Sequence, residues 1–160
     1  MYDAYEKIEE YFASKYSANT TSRKNIGDFY LSEKHPVNVK SNNVDKKNFS
    51  ANVISASKLY DFLTKDAENQ LSFIFADYKI ENGKVVPLRD SGLIPVEHIS
   101  WECLSIQAQG LGVIQKKSDL IIDPAQTREK FLEGLRAAYA VFIRKEREKL
   151  MKLEKKFGII

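Results

Sequence analysis

Asp28 lies in a short apolar run, Gly27-Asp28-Phe29-Tyr30-Leu31, and Asn38 and Lys40 alternate with two valines in Val37-Asn38-Val39-Lys40. A carboxylate, an amide oxygen and an amine meeting across adjacent strands can hydrolyse a phosphodiester with the help of Mg²⁺. That reaction needs a nucleophilic water, stabilised charge on the nonbridging oxygens and a neutralised leaving oxygen. Magnesium takes hard oxygen ligands and keeps several waters, so few protein oxygens suffice. Asp28 is the expected central ligand, with the side-chain oxygen of Asn38 and the carbonyl of Val39 completing the protein share. Lys40 would then orient the attacking water beside the scissile phosphate. On spacing alone the pattern is weak, because an aspartate followed later by polar-x-Lys is common by chance.

The elements that must position these residues read as helix, strands, helix, strands, helix. Tyr5, Ile8 and Phe12 recur at helical spacing and predict a helix over 2–16. A polar loop (17–27) leads into a β-run at Phe29–Leu31, which His35-Pro36 is expected to break. Strict alternation puts Val37 and Val39 on one strand face and Asn38 and Lys40 on the other. A polar, basic loop is expected over Asn42–Asn48. An amphipathic helix follows from about Asn52, carrying Ile54, Leu59, Phe62 and Leu63, with Asn52 or Ser50 as its cap. Leu71–Phe75 reads as a buried strand, Asn82-Gly83 as a two-residue hairpin turn, and 93–115 as a β region punctuated by Gly110 and Gly112. Asp123-Pro124-Ala125-Gln126 has the form of a helix start. Phe131, Leu135, Ala138 and Phe142 mark one face of a long helix to about Phe157, whose charged second half reads as a solvated face. The order predicts an α/β (α+β) domain with a central mixed β-sheet flanked by helices and a long C-terminal helix.

At 160 residues, with 43% apolar and 29% charged side chains, the chain fits one globular domain, 1–160. The acidic start (Asp3, Glu6, Glu9, Glu10) argues against a secretory leader, and no apolar run is long enough for a membrane span. The lone cysteine, Cys103, fits a reducing cytoplasm. His35 and His98 have no partner at metal-ligand spacing, which disfavours zinc. No nucleophile-elbow or Gly-rich phosphate loop is present. A net charge of +3 permits a nucleic-acid partner only if the positive charge is concentrated on one surface.

Three separated segments add to the catalytic pattern. The first is Tyr5-Glu6-Lys7-Ile8; the second is GDFYL, PVNVKS and NFSANVISASKL (48–59); the third is HISWECLSIQAQ (98–109) with TREKFLEGLRAAYA (127–140). Together they resemble the PD-(D/E)xK nuclease superfamily, and within it most closely the HincII-type restriction endonucleases of the EcoRV-related branch. The resemblance implies a metal-binding role for Asp28, a catalytic role for Lys40, and a helix glutamate at Glu6 supporting a second metal or its water. It makes 98–109 a tryptophan-bearing strand. Asn38 departs from the pattern, because the family usually has an acidic ligand there. An amide oxygen can ligate Mg²⁺, at the expense of weaker affinity.

The same resemblance implies a type II restriction endonuclease. Such an enzyme cuts double-stranded DNA at a short palindromic site, leaves 5′-phosphates, uses one or two Mg²⁺ per site (with Mn²⁺ able to substitute) and has a cognate DNA methyltransferase. A two-fold target matches a homodimer, with the N-terminal helix and parts of the Asn52–Leu63 helix as interface elements. Base reading falls to the segment Ser50-Ala51-Asn52, with Asn52 foremost and Asn42, Asn43 and Asn48 nearby, since asparagine offers both a donor and an acceptor. Lys46 and Lys47 are expected on phosphates. Gln107 and Gln109, alternating on a β-run, would line the DNA. The rival readings are a structure-specific repair or junction nuclease and a DNA-binding module whose metal site has decayed at Asn38.

Overall fold

The computed structural model describes residues 2–16, 26–46 and 52–159, the side chains of 2–6 excepted. In chain order its elements are α1 (Tyr2–Lys15), β1 (Phe29–Ser32), β2 (His35–Asn43), β3 (Asn52–Ser55) and α2 (Ala56–Lys65). There follow β4 (Ser72–Glu81), β5 (Lys84–Asp90), β6 (Ile94–Pro95), β7 (Leu104–Gln107), β8 (Val113–Lys116) and α3 (Arg128–Lys156). They group into two compact units, Met1–Ser50 with Phe62–Val96, and Ala51–Asp61 with Glu97–Ile160.

The first unit holds a mixed sheet in the order β1-β2-β4-β5, with β6 also pairing β4. The pairs β1–β2 and β4–β5 are antiparallel, whereas β2–β4 is parallel from Val37↔Ser72 to Asn43↔Tyr78. The alternation expected along β2 is present: Val37 and Val39 are buried, while Asn38 and Lys40 are half-exposed. The two valines join Phe29, Ile74, Ala76 and Tyr78 in a core that Ile8, Phe12 and Ala13 of α1 cover. Asn82 and Gly83 make the β4–β5 turn with φ of +51° and +74°, the left-handed pair that a two-residue hairpin requires.

Two boundaries differ from expectation here. His35-Pro36 does not break the β-run. The chain turns at Glu33-Lys34 and β2 begins at His35, with Pro36 facing Tyr30 beside an irregularity in register, where a missing amide donor is tolerated. The strand also runs on to Asn43, so Asn42 and Asn43 belong to β2 and not to a loop.

The second unit holds an antiparallel sheet in the order β3-β8-β7. Residues 52–55 are a strand rather than a helix start, because Val53 and Ile54 are β-branched and β8 supplies a partner. The helix begins at Ala56, its first turn bonded from Lys58 N–H to Ser55 Oγ at 3.4 Å. Trp101 and His98 lie in short 3₁₀ turns (Trp101–Cys103 and Val96–His98), not in strands; Ser100 Oγ caps the former by accepting from Glu102 N–H. Asp123 closes a turn of its own, and Gln126 donates to the carbonyls of Glu97 and Ile99. The cap of α3 is therefore Thr127, which accepts from Lys130 N–H at 3.2 Å.

The first turns of α3 bury Phe131, Leu132 and Leu135. Trp101 lies against them, its ring 5.5 Å from that of Phe131 and its Nε1 donating to Phe131 O at 3.0 Å. A side chain at Gly134 would collide with the indole. Gly134→Ala gains about 1 kcal/mol of helix propensity, but overpacking of this kind costs roughly 1–3 kcal/mol. Net destabilisation with altered Trp101 emission is the expected outcome in denaturant titrations followed on this single tryptophan. An unchanged midpoint and spectrum would contradict it.

Candidate functional site

The β1–β2 ladder gives out at Phe29↔Val37. Just beyond, Asp28 N–H donates to Val37 O at 2.8 Å, and Asp28 Oδ2 accepts Val39 N–H at 2.6 Å. The carboxylate thus completes a strand amide that has run out of backbone partners on that side. Gly27 allows this approach: a Cβ there would come within 2.5 Å of Pro36 Cβ.

Opposite, Asn38 Nδ2 donates to Ile26 O at 3.1 Å. A carbonyl can only accept, so the amide's orientation is fixed by chemistry, and Oδ1 is the other end. Asn38 Oδ1 is buried with no hydrogen-bond partner among the described residues. A buried acceptor left in this condition is costly unless something outside the protein satisfies it.

Lys40 follows two residues on along the same face of β2. Burial of its ammonium lowers its pKa, with the charges of Asp28 and then Glu9 working against that effect. Asp28, Asn38 and Lys40, predicted from sequence, are thus brought together. Val39 brings its amide to Asp28, and its carbonyl belongs to the same stretch of strand.

The side chain of Glu6 lies outside the described residues. Glu9, which the resemblance did not single out, is an α1 carboxylate whose charge reaches Lys40. The signal was present: on a helical wheel Glu9 falls between the buried Phe12 and Ala13, an odd place for a carboxylate. Among the described residues no three His, Cys, Asp or Glu converge on one point. The donor set that fits a hard divalent ion is therefore sparse: Asp28, the partnerless Asn38 oxygen and the Val39 carbonyl.

Of the residues expected to read DNA, some fall in the first unit, some in the second and some outside the described residues. Lys47, Asn48, Ser50 and Ala51 lie outside the described residues, and Lys46 is exposed at their edge. Asn42 donates to Asp77 Oδ1 at 3.2 Å, and Asn43 Oδ1 accepts Asp45 N–H at 3.1 Å, so both support the end of β2. In the second unit, Asn52 Nδ2 donates to Gln109 Oε1 at 3.4 Å, and Gln115 Nε2 donates to Asn52 Oδ1. These three amides form a row on which Gln115 is an addition. Its place opposite Asn52 follows from the β3–β8 register, which local sequence does not reveal. Gln107 ends β7 and donates to Ser105 Oγ at 3.0 Å, while Gln109 opens the turn beyond it; the expected alternation along one strand is absent.

A mixed sheet, a helix packed on it and a long C-terminal helix make up a restriction-endonuclease-like fold. The chain is similar to the NlaIV restriction endonuclease over 94% of its own length and 73% of that chain, with a TM-score of 0.55 and 14% sequence identity. That likeness establishes the fold without favouring the HincII or EcoRV-related branch. No protein-family model matches the chain, and neither does any curated protein.

Two outcomes are expected. Asn38→Asp sets a carboxylate against Ile26 O, so without divalent metal it should destabilise by about 1–3 kcal/mol, and Mg²⁺ should restore more melting temperature to it than to the parent. Equal melting curves with and without Mg²⁺ would count against the site. Lys40 has a folded-state pKa below its ordinary 10.5. Its buried charge is a cost at lower pH that is relieved as pH climbs through the folded value towards 10.5. In chelator, the stability of the parent relative to Lys40→Met should therefore rise across the alkaline range. A flat or falling difference would contradict burial of the ammonium.

Proposed function

We propose that this chain is a Mg²⁺-dependent endonuclease of double-stranded DNA, a type II restriction enzyme acting as a homodimer on a short palindromic site and leaving 5′-phosphates. The observation that carries it is the buried oxygen of Asn38, which has no hydrogen-bond partner among the described residues, on the strand face it shares with Lys40 and next to the Val39 amide that Asp28 accepts. Asp28, Asn38 Oδ1 and the Val39 carbonyl are the groups that would hold Mg²⁺, with Mn²⁺ as a substitute. When bound, the ion supplies Lewis-acid stabilisation of charge on the phosphate oxygens. Asp28 keeps its orientation through the Val39 amide. Asn38 turns its oxygen inward because Ile26 holds its nitrogen. Lys40 Nζ, whose charged form burial disfavours, orients the attacking water, and in its neutral form can accept that water's proton. The charges of Asp28 and then Glu9 offset part of the shift that burial causes.

Sequence reading in this proposal rests with Asn52 and its amide partners, with Lys46 and Lys47 on phosphates. The resemblance to the HincII type, a cytoplasmic location and a protecting DNA methyltransferase go with the same proposal.

The decisive experiment is digestion of long mixed-sequence duplex DNA in Mg²⁺ by the parent and by Lys40→Ala. Discrete fragments are expected from the parent, with cleavage slowed by about 10²-fold or more in the variant. A smear from the parent would favour a nuclease directed by DNA structure. Intact DNA in both Mg²⁺ and Mn²⁺, with binding retained, would make the chain a DNA-binding module and overturn the catalytic proposal.

A further inference from the structure

Residues 110–112 take three left-handed backbone angles in succession, with φ of +59°, +61° and +121°. Glycine adopts these freely at 110 and 112, but the middle residue is Leu111, whose Cβ is crowded there. Leu111 is also 81% exposed, the highest value among the described large apolar side chains that stand in solvent. The chain thus bears two unfavourable terms at one residue.

The turn does not relax because it is braced on every side. Leu111 N–H donates to Ala108 O at 3.2 Å and Gly112 N–H to Gln109 O at 3.1 Å. Gly112 O accepts Ala56 N–H at 3.0 Å, and Leu111 O accepts the Tyr139 hydroxyl at 2.6 Å. A Cβ at 112 would lie 2.7 Å from the Tyr139 ring, so that position admits only glycine. The result is an exposed apolar side chain carried on a braced backbone. Strain of this kind gathers at sites where a ligand is met. The ligand's character is given by the neighbour two residues back: Gln109 is one end of the amide row with Asn52 and Gln115.

We infer that Leu111 is a wedge that enters between adjacent base pairs of bound duplex DNA, opening one step beside the bases met by the Asn52 row. This rests on the duplex-DNA function proposed above. Apolar wedges of leucine size part a base step and kink the helix. Pyrimidine–purine steps open most readily, so the target should carry one at the wedge position.

The test begins with selection of bound duplexes from a random-sequence pool by full-length Lys40→Ala protein in Mg²⁺. The recovered duplex is then scanned with 2-aminopurine, whose fluorescence rises on unstacking. A rise at one pyrimidine–purine step is expected, retained by Leu111→Met and lost in Leu111→Gly. The glycine variant should bind roughly tenfold more weakly through the lost apolar burial, while melting no lower than the parent because glycine suits the backbone. A rise that persists with glycine, or a bound duplex with no rise at any position, overturns the wedge and leaves the DNA function standing. Failure to enrich any duplex overturns both. Loss of self-association in sedimentation on Leu111→Gly, with fluorescence unchanged, would make Leu111 a contact between copies and overturn the wedge.

Discussion

The bond from Val39 N–H to Asp28 is the constraint on which the candidate site depends. Strand β2 outlasts its neighbour β1, and the amide just past the end of the ladder must find an acceptor. Asp28 supplies it, and the same contact sets the carboxylate beside the face that carries Asn38 and Lys40. Backbone satisfaction and the placing of a charged group are here one interaction. Asp28 therefore has a structural task whatever its chemical one, and Gly27 exists beside it because Pro36 leaves no room for a side chain.

Much of this arrangement was legible in the sequence where it depends on period or turn chemistry. The Val37–Lys40 alternation, the Asn82-Gly83 turn, the first helix and the long last helix all follow from local pattern. So does the placing of Asn38 and Lys40 on one face of β2, opposite the buried Val37 and Val39. What local pattern did not carry were decisions made at a distance. Asn52–Ser55 reads as a helix start because Leu59, Phe62 and Leu63 follow at helical spacing, yet β8, far along the chain, recruits it as a strand. Thr127 displaced Asp123 as the cap because Gln126 is held by the carbonyls of Glu97 and Ile99. The place of Glu9 between Phe12 and Ala13 on the helix was legible, but its nearness to Lys40 is a relation of the folded chain alone.

The two compact units carry different chemistry. The first has the carboxylate, the inward amide oxygen and the desolvated lysine, all on a mixed sheet. The second has the amide row and the braced left-handed turn on an antiparallel sheet. Fold likeness at 14% identity sets such frames while leaving the side chains to be read one by one. Here, among the described residues, Asp28, Asn38 and Lys40 bring one carboxylate, one buried neutral oxygen and one amine to the same stretch of β2.

Strand β4, the parallel partner of β2, reaches it only after the chain has passed through β3 and the start of α2 in the other unit. A parallel pair always demands a crossover, but this one is assigned elsewhere. No uninterrupted stretch of gene therefore encodes the strand pair at Asn38 and Lys40 without also encoding Asn52. Recombination that moved the one would carry the other with it. The β2–β4 pair and the amide strand are inherited as a single genetic unit, so change in either must come residue by residue rather than by exchange of parts.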